Sequence, residues 1–181
     1  SSRSSASSHR DPAVVPVDLP RLEALPIEHG SRVLVRVDFN VPLRDGHIED
    51  DLRIASALPT IEWLRKHKAV VVLCGHLGRP KGVFDPQFSM APVAARLAEL
   101  LRTEVELAPA VWGPEVEEIV ASTPPAGVVM LENLRFDPGE TECDPALCTN
   151  LADLADLYVN DAFGASHREH ASIMGPPRVL P

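Results

Sequence analysis

Polar and cationic side chains are concentrated in four short clusters, each directly after a run of apolar residues. The clusters are Asp38/Asn40, His76/Arg79, Glu132/Asn133/Arg135 and Asp161/His167/Arg168/His170. Guanidinium groups suit phosphate and carboxylate ligands, because the planar fork donates two charge-assisted hydrogen bonds at once. The clusters therefore predict a binding site for a small anion. A single loop arginine is more often simply solvated, so the prediction depends on whether the clusters meet.

The apolar runs before the clusters are typical of strands that are covered on both faces of a parallel sheet. They occupy residues 32–37, 70–74, 128–131 and 157–159. Apolar residues at helical spacing lie between them, so strands and helices alternate along the chain. We therefore expect an α/β fold, a three-layer sandwich with a Rossmann-like, mainly parallel sheet and helices on both faces. Because parallel strands end at one edge of a sheet, the four clusters would share one cleft.

The helix after the first cluster would bring one more arginine to this edge. Asp50 or Asp51 can cap its start, and Arg53 lies in its first turn. Pro59 is expected to kink or restart this helix, since its ring removes an interior hydrogen bond. A later helix is predicted over 145–155. With Arg53 included, up to four arginines would surround the anion.

The composition excludes several functional classes. A net charge of -9 argues against nucleic acid or an anionic membrane as the main partner. Three cysteines are too few for a disulfide framework, which favours a reducing, cytoplasmic compartment, and no apolar stretch has the length of a membrane span. The sequence contains no G-x-G-x-x-G after the first strand, no G-x-x-x-x-G-K-[ST] and no G-x-S-x-G, so neither a familiar nucleotide loop nor a nucleophile elbow is expected.

Five stretches, taken together, resemble one family. They are RVDFNVP at 36–42, DLRI at 51–54, GHLGRP at 75–80, LENLRF at 131–136 and NDAFGASHR at 160–168. In order and spacing they are similar to the substrate-binding half of the phosphoglycerate kinases, from about Leu19 to the C-terminus. Gly75 stands where the family often has serine, and Ala165-Ser166 replaces a more usual pair. Both departures exchange one small residue for another and put little in doubt.

The resemblance implies an enzyme of glycolysis and gluconeogenesis that transfers a phosphoryl group reversibly between ATP and 3-phosphoglycerate, giving 1,3-bisphosphoglycerate and ADP. It implies that Asp38 and Asn40 bind the hydroxyl and carboxylate end of the glycerate, and that Arg53 is the catalytic residue that stabilises the phosphoryl group in transfer. The basic patch that holds the substrate's phosphate would be His76, Arg79, Arg135 and Arg168. The complete set of implied substrate contacts is Asp38, Phe39, Asn40, Arg53, His76, Leu77, Gly78, Arg79, Arg135 and Arg168.

The resemblance also implies how the chain is divided. Residues 1–18 are expected to form a disordered or extended tail, 19–175 the substrate domain, and 176–181 the start of a linker towards a nucleotide-binding domain absent from this chain. Mg-ATP or Mg-ADP would bind that second domain, so no cofactor or metal site is expected in this chain. The expected partners are 3-phosphoglycerate, 1,3-bisphosphoglycerate and the C-terminal domain of the same monomeric enzyme, without nucleic acid or membrane. Alone, the chain is expected to bind the acid weakly and to transfer phosphate at a negligible rate.

Two other interpretations fit the residues. One is a free-standing anion-binding or regulatory module that keeps the fold without catalysis. The other is an unrelated α/β enzyme for phosphorylated sugars or acids. That enzyme would require an acid–base pair or a nucleotide loop, and the sequence shows neither.

Overall fold

The computed structural model describes residues 22–162 and 170–181 of the chain. The predicted tail and two members of the fourth cluster, His167 and Arg168, lie outside these described residues. Five strands form one parallel sheet, in the spatial order β5 (Val105–Leu107), β6 (Val128–Met130), β4 (Val70–Cys74), β1 (Arg32–Val37) and β7 (Leu157–Asp161). After β1 the chain makes a small antiparallel hairpin of β2 (Leu43–Arg44) and β3 (His47–Ile48).

Helices cover both faces of the sheet. They are α1 (Leu52–Lys66), α2 (Ala91–Leu101), α3 (Pro114–Ser122), α4 (Gly139–Glu142), α5 (Pro145–Ala152) and α6 (Ala171–Met174). Short 3₁₀ turns occupy Leu22–Ala24, Pro86–Phe88, Leu134–Phe136 and Pro176–Arg178. None of the helices in residues 22–162 and 170–181 combines the length and apolarity needed to cross a membrane.

Alternate residues of β1 enter two separate cores. Val33 and Val35 pack with side chains of α1 and α2 on one face, whereas Leu34 packs with side chains of α3 and α5 on the other. Side chains of successive strand residues point to opposite faces, so a strand whose apolar residues are continuous needs cover on both sides. The predicted α/β three-layer sandwich with a parallel sheet is confirmed.

The pairing register brings the ends of the strands to one edge. Arg36 of β1 lies opposite Cys74 of β4 and Asn160 of β7, and Leu73 of β4 lies opposite Met130 of β6. The segments that leave these four strands therefore start side by side. We call this side of the sheet the carboxyl edge, and the side where the strands begin the amino edge.

Some predicted boundaries differ from the structure. Pro59 is expected from the sequence to kink or restart helix α1. The helix runs without a break from Leu52 to Lys66, so it does not restart at Pro59. The buried residues Ile54 and Ile61 lie on the same face of the helix, on either side of Pro59, and their packing compensates for one lost hydrogen bond. Helix α5 ends at Ala152, three residues earlier than predicted, and β7 continues two residues further, to Asp161.

Candidate anion-binding site

The first cluster is held by an arginine of the following helix. Arg53 Nη1 donates hydrogen bonds to Asp38 Oδ1 (3.1 Å) and to the carbonyl of Asn40 (2.9 Å). Asp50 Oδ1 accepts the amide N–H of Leu52, which fixes the start of α1 and with it the position of Arg53. The Arg53 side chain is 52% exposed and that of Asp38 is 34% exposed. Both bonds use a single nitrogen, so the guanidinium retains further donors for an anion.

The loops after β1 and β4 are joined at Gly78. The amide of Gly78 donates to Asn40 Oδ1 (3.0 Å), and its carbonyl accepts from Arg135 Nη1 (3.3 Å). Gly78 has a φ of +61°, and a Cβ at this position would lie 2.4 Å from carbons of the Phe88 ring. Only glycine fits both the backbone conformation and the space. Beside this contact opens a cleft of about 670 Å³, lined among others by Asn40, Leu43, Gly78 and Phe88.

The buried side chain of Asn133 holds the loop after β4 in place. Its Nδ2 donates to the carbonyls of Leu77 (2.7 Å) and Phe88 (2.8 Å), and its Oδ1 accepts the amide N–H of Arg135 (3.0 Å). Asn133 is completely buried. The side chain therefore uses both its donors and its acceptor within the protein, and it holds the loop of Gly78 and the backbone of Arg135 in one arrangement.

Glu132 supports the same region. Its carboxylate accepts the amide N–H groups of Met90 (2.7 Å) and Asn133 (2.8 Å) and the hydroxyl of Ser89 (2.9 Å). The side chain is buried, and these three hydrogen bonds offset the free-energy cost of removing the carboxylate from water. Glu132 and Asn133 are structural supports of the cleft, and neither presents a side chain to a ligand.

A buried hydrogen-bond network that was not predicted from the sequence contacts His76 of the second cluster. Arg36 is completely buried in β1; its Nη2 lies 3.0 Å from His76 Nδ1, its Nε donates to Ser172 Oγ (3.0 Å), and its Nη1 donates to the carbonyl of Val37. The amide of Ser172 donates to Glu140 Oε2 (3.0 Å), and its hydroxyl donates to Glu140 Oε1. The available signal was an arginine next to the end of a strand predicted to be covered on both faces.

Burial dominates the electrostatics of this network. It raises the pKa of the Glu140 carboxyl, although the hydrogen bonds from Ser172 and the charge of Arg36 act in the opposite direction. Burial also raises the pKa of the Cys74 thiol to about 12 and that of the Tyr158 hydroxyl well above its usual range. The Tyr158 hydroxyl donates to the carbonyl of Ser172 (2.8 Å). The Cys74 thiol and the Tyr158 hydroxyl therefore stay protonated near neutral pH.

The structure places the predicted site residues in four situations. One is that of His76, whose buried ring contacts Arg36. Hydrogen bonds connect Asp38, Asn40, Arg53, Gly78 and Arg135, of which Asn40 and Gly78 line the cleft. Arg79 is exposed on the same loop as Gly78. The side chains of Phe39 and Leu77 are buried in the core, so only their backbone atoms are available to a ligand. Arg168 lies outside the described residues.

The fourth cluster is only partly described. Asp161, the last residue of β7, is half-buried; burial raises the pKa of its carboxyl, and a hydrogen bond with Thr60 of α1 lowers it. In the described parts of the chain, no group of three or more His, Cys, Asp or Glu side chains is placed to hold a metal ion.

Comparison with known proteins assigns this chain to a family. Residues 25–181 match the family model of phosphoglycerate kinase. The chain is 53% identical over 152 residues to the phosphoglycerate kinase of Thermosipho africanus, covering 84% of this chain and 38% of that protein. It is 55% identical over 153 residues to that of Desulfosudis oleivorans, covering 84% and 39%.

Solved structures agree. The phosphoglycerate kinase of Pyrococcus horikoshii superposes with a TM-score of 0.81 at 34% identity, over 90% of this chain and 41% of that one. The enzyme of Coxiella burnetii superposes with a TM-score of 0.75 at 39% identity, over 84% and 38%. The chain spans about two fifths of the length of the relatives that it matches. The family match covers most of the sequence, and we conclude that this chain belongs to the phosphoglycerate kinase family.

Proposed function

We propose that this chain is the 3-phosphoglycerate-binding part of a phosphoglycerate kinase, which transfers a phosphoryl group reversibly between ATP and 3-phosphoglycerate. The observation that carries the proposal is the hydrogen-bonded convergence of Asp38, Asn40, Arg53, Gly78 and Arg135 at the carboxyl edge, in a chain of this family. These residues come from three separate segments and combine acceptors for a hydroxyl with donors for two anionic groups. That combination matches an acid that carries a hydroxyl, a carboxylate and a phosphate.

Each end of the acid would have its own contacts. Asp38 and Asn40 would bind the hydroxyl and carboxylate end, beside Arg53. The phosphate would be held by the basic patch of His76, Arg79, Arg135 and Arg168. Arg53 would stabilise the negative charge of the phosphoryl group during transfer. Phosphoryl transfer requires positioning and charge stabilisation more than covalent participation by the protein, so a site without a nucleophile suits it.

The nucleotide is proposed to bind elsewhere. Phosphoglycerate kinases use Mg-ATP, and we assign Mg-ATP or Mg-ADP to a C-terminal domain outside this chain. The substrate domain would comprise residues 19–175, preceded by a tail and followed from 176 by the linker to that domain. We further propose a monomeric, cytoplasmic enzyme, in keeping with three cysteines that form no disulfide with one another.

Titration of the isotope-labelled chain with 3-phosphoglycerate tests the site directly. Backbone amide signals of residues 38–40, 76–79 and 135 are expected to shift in a saturable manner, and glycerate, which lacks the phosphate, should shift them less. Arg135→Ala should weaken binding about tenfold, the cost of one charge-assisted contact, whereas Arg32→Ala at the amino edge should leave binding unchanged. Shifts confined to the amino edge, or equal responses to both ligands, would contradict the proposal.

A further inference from the structure

Arg36 connects several segments of the carboxyl edge and is not among the residues proposed to contact the ligand. It is completely buried, and its guanidinium contacts three separate segments: the end of its own strand at Val37, the loop after β4 at His76, and helix α6 at Ser172. Ser172 in turn binds Glu140, which follows β6. One side chain of β1 therefore connects the segments that follow all three of the other strands carrying clusters.

The contact with His76 has a chemical consequence. A guanidinium can donate hydrogen bonds but cannot accept them, so at 3.0 Å from Arg36 Nη2 the Nδ1 atom of His76 must be the acceptor. A neutral imidazole that accepts at Nδ1 carries its proton at Nε2. The ring then has an N–H donor on the nitrogen opposite Arg36, and a donor is what a phosphate oxygen requires.

The rest of the network holds Arg36 in place. Ser172 Oγ accepts from Arg36 Nε and donates to Glu140 Oε1, while the Ser172 amide donates to Glu140 Oε2. Glu140 and Ser172 are both buried, and the Tyr158 hydroxyl donates to the Ser172 carbonyl (2.8 Å). The hydrogen bonds therefore run from a buried carboxyl through a serine and an arginine to the histidine. Supporting groups of this kind fix the orientation and the tautomer of a functional histidine.

We propose that Arg36 is a positioning residue, held by Ser172 and Glu140, that keeps His76 in the tautomer with its proton on Nε2 so that the ring donates to the phosphate of 3-phosphoglycerate. The ligand part of this inference rests on the proposed function; the tautomer part does not.

The tautomer can be measured without any ligand. In the chain labelled with ¹⁵N in its histidine rings, at a pH where His76 is neutral, correlations between ring nitrogens and ring protons show which nitrogen is protonated; the His76→Gln spectrum identifies the signals. We expect a protonated Nε2 and an unprotonated Nδ1. A proton on Nδ1, or an equal mixture of tautomers, would overturn the proposal whether or not the chain binds 3-phosphoglycerate.

Arg36→Lys tests whether the residue acts through His76. Lysine keeps a positive charge near Glu140 but cannot contact all three partners, so the tautomers of His76 should mix and 3-phosphoglycerate affinity should fall about tenfold. In a His76→Gln background, where an amide replaces the Nε2 donor, the same change should cost at most about twofold. Equal losses in both backgrounds would show that Arg36 does not act through His76. Arg32→Lys, at the other end of β1, is the matched control and should change neither quantity.

Two further variants keep the test decisive if Arg36→Lys does not fold. Gln at position 76 can place an N–H donor near the position of Nε2, whereas Asn places one near Nδ1. His76→Gln should therefore retain more affinity for 3-phosphoglycerate than His76→Asn. The reverse order would overturn the proposal. If the unaltered chain binds no 3-phosphoglycerate, the proposed function fails, and the tautomer measurement still decides the role of Arg36.

Discussion

The two edges of the parallel sheet are built from different kinds of contact. At the amino edge, the ion pair of Arg32 and Asp156 ties the start of β1 to the start of β7, and its side chains are 35% and 50% exposed. At the carboxyl edge the polar groups are inside. The buried polar residues of the described chain all lie at or behind that edge: Arg36, His76, Glu132, Asn133, Glu140 and Ser172.

This difference agrees with the function that we propose for the carboxyl edge. A buried polar group costs free energy unless its hydrogen bonds are made, so a protein that only had to close its chain would leave such groups in water, as the amino edge does. A site for a small anion needs donors at fixed positions, and buried hydrogen bonds fix them. The hydrogen-bonded supports of the carboxyl edge are thus buried, and Arg53 and Arg79 are its exposed arginines.

We expect the largest difference in stability between the two edges when a carboxylate that accepts three hydrogen bonds is removed from each. Glu132, at the carboxyl edge, accepts from Met90, Asn133 and Ser89 and is buried. Glu132→Ala leaves buried amides without an acceptor, and we expect it to lower the free energy of unfolding by about 3–5 kcal/mol. Urea denaturation followed by circular dichroism measures the change.

Asp156 provides the matched control at the amino edge. It also accepts three hydrogen bonds, all from Arg32, but it is half exposed. Water can replace the lost partner on each side, so Asp156→Ala should cost only about 1 kcal/mol. Similar losses for the two variants would mean that burial does not separate the edges as argued here.

Sequence reasoning recovered the fold because its signals are local. The continuous apolar run at 70–74 and the helical spacing of apolar residues between the predicted strands each indicate burial within a few residues. The alternation of strands and helices then predicts a parallel sheet. Pro59 was the exception. Its effect on a helix depends on what the helix packs against, and Ile54 and Ile61 lie in a core formed by distant strands.

The cleft could be predicted only in part. Asp38, Asn40, Arg53 and Arg135 stand in recognisable stretches at strand ends, and the structure brings them together. Arg36 was not predicted as a buried residue because arginine is seldom fully buried in proteins. Its partners His76 and Ser172 lie 40 and 136 residues away in sequence, and no local pattern encodes such contacts.

Replacing a glycine of positive φ with alanine should also destabilise the two edges to different extents. At Gly78 an added Cβ would lie 2.4 Å from the Phe88 ring, whereas at Gly30 on the amino edge, with a φ of +82°, the nearest atom is a carbon of Pro125 at 4.0 Å. Gly30→Ala should therefore cost only the backbone strain, about 1 kcal/mol. Gly78→Ala adds displacement of Phe88, and we expect a total of about 2–4 kcal/mol.

Thermal denaturation of both alanine variants measures this difference. Gly78→Ala should in addition broaden or shift the amide signals of Asn40 and Arg135, which bind Gly78. Gly30→Ala should leave those signals in place. Equal stability losses would indicate that Phe88 moves away without cost, and that the loop of Gly78 is softer than the structure implies.

The pH dependence of stability should have opposite signs at the two edges. Burial raises the pKa of Glu140 above its ordinary value of 4.5, so the folded state binds the proton more tightly than the unfolded state. The stability contributed by Glu140 is therefore present below pH 4.5 and decreases as the pH rises towards the folded-state pKa. Arg36 and Arg135 limit the effect, because both charges favour the ionised carboxyl.

Asp156 behaves in the opposite way. The hydrogen bonds and charge of Arg32 hold its pKa below the ordinary value of 3.8, so its contribution is present above that pH and is lost as the pH falls through the folded-state pKa. Urea midpoints between pH 3 and 7 should show that Glu140→Gln gains relative to the unaltered chain as the pH rises, and that Asp156→Asn gains as the pH falls. A parallel trend for both variants would contradict the assignment.

Replacing one of two partly exposed arginines, one at each edge, should have the smallest effect on stability. These two variants therefore compare the catalytic roles of the edges with little interference from unfolding. Arg53 at the carboxyl edge and Arg32 at the amino edge each pair with one aspartate, and replacing either with alanine should change the free energy of unfolding by at most about 1 kcal/mol. Their effects on phosphoryl transfer should differ. Within a two-domain enzyme that contains this chain, Arg53→Ala should lower kcat by a factor on the order of 100 or more, with a smaller loss of acid affinity, and Arg32→Ala should leave both unchanged.

Arg135→Ala completes this last test, because it separates holding the substrate from stabilising the transfer. If Arg135 holds the non-reacting phosphate, as proposed, that contact is made before the reaction and during it, so its loss should appear first as a higher KM for 3-phosphoglycerate. Steady-state kinetics on the three variants distinguishes the cases. If Arg53→Ala mainly raised KM and Arg135→Ala mainly lowered kcat, the two arginines would have exchanged roles. The rigid support at the carboxyl edge would then be aimed at the transferred group and not at the phosphate that anchors the acid.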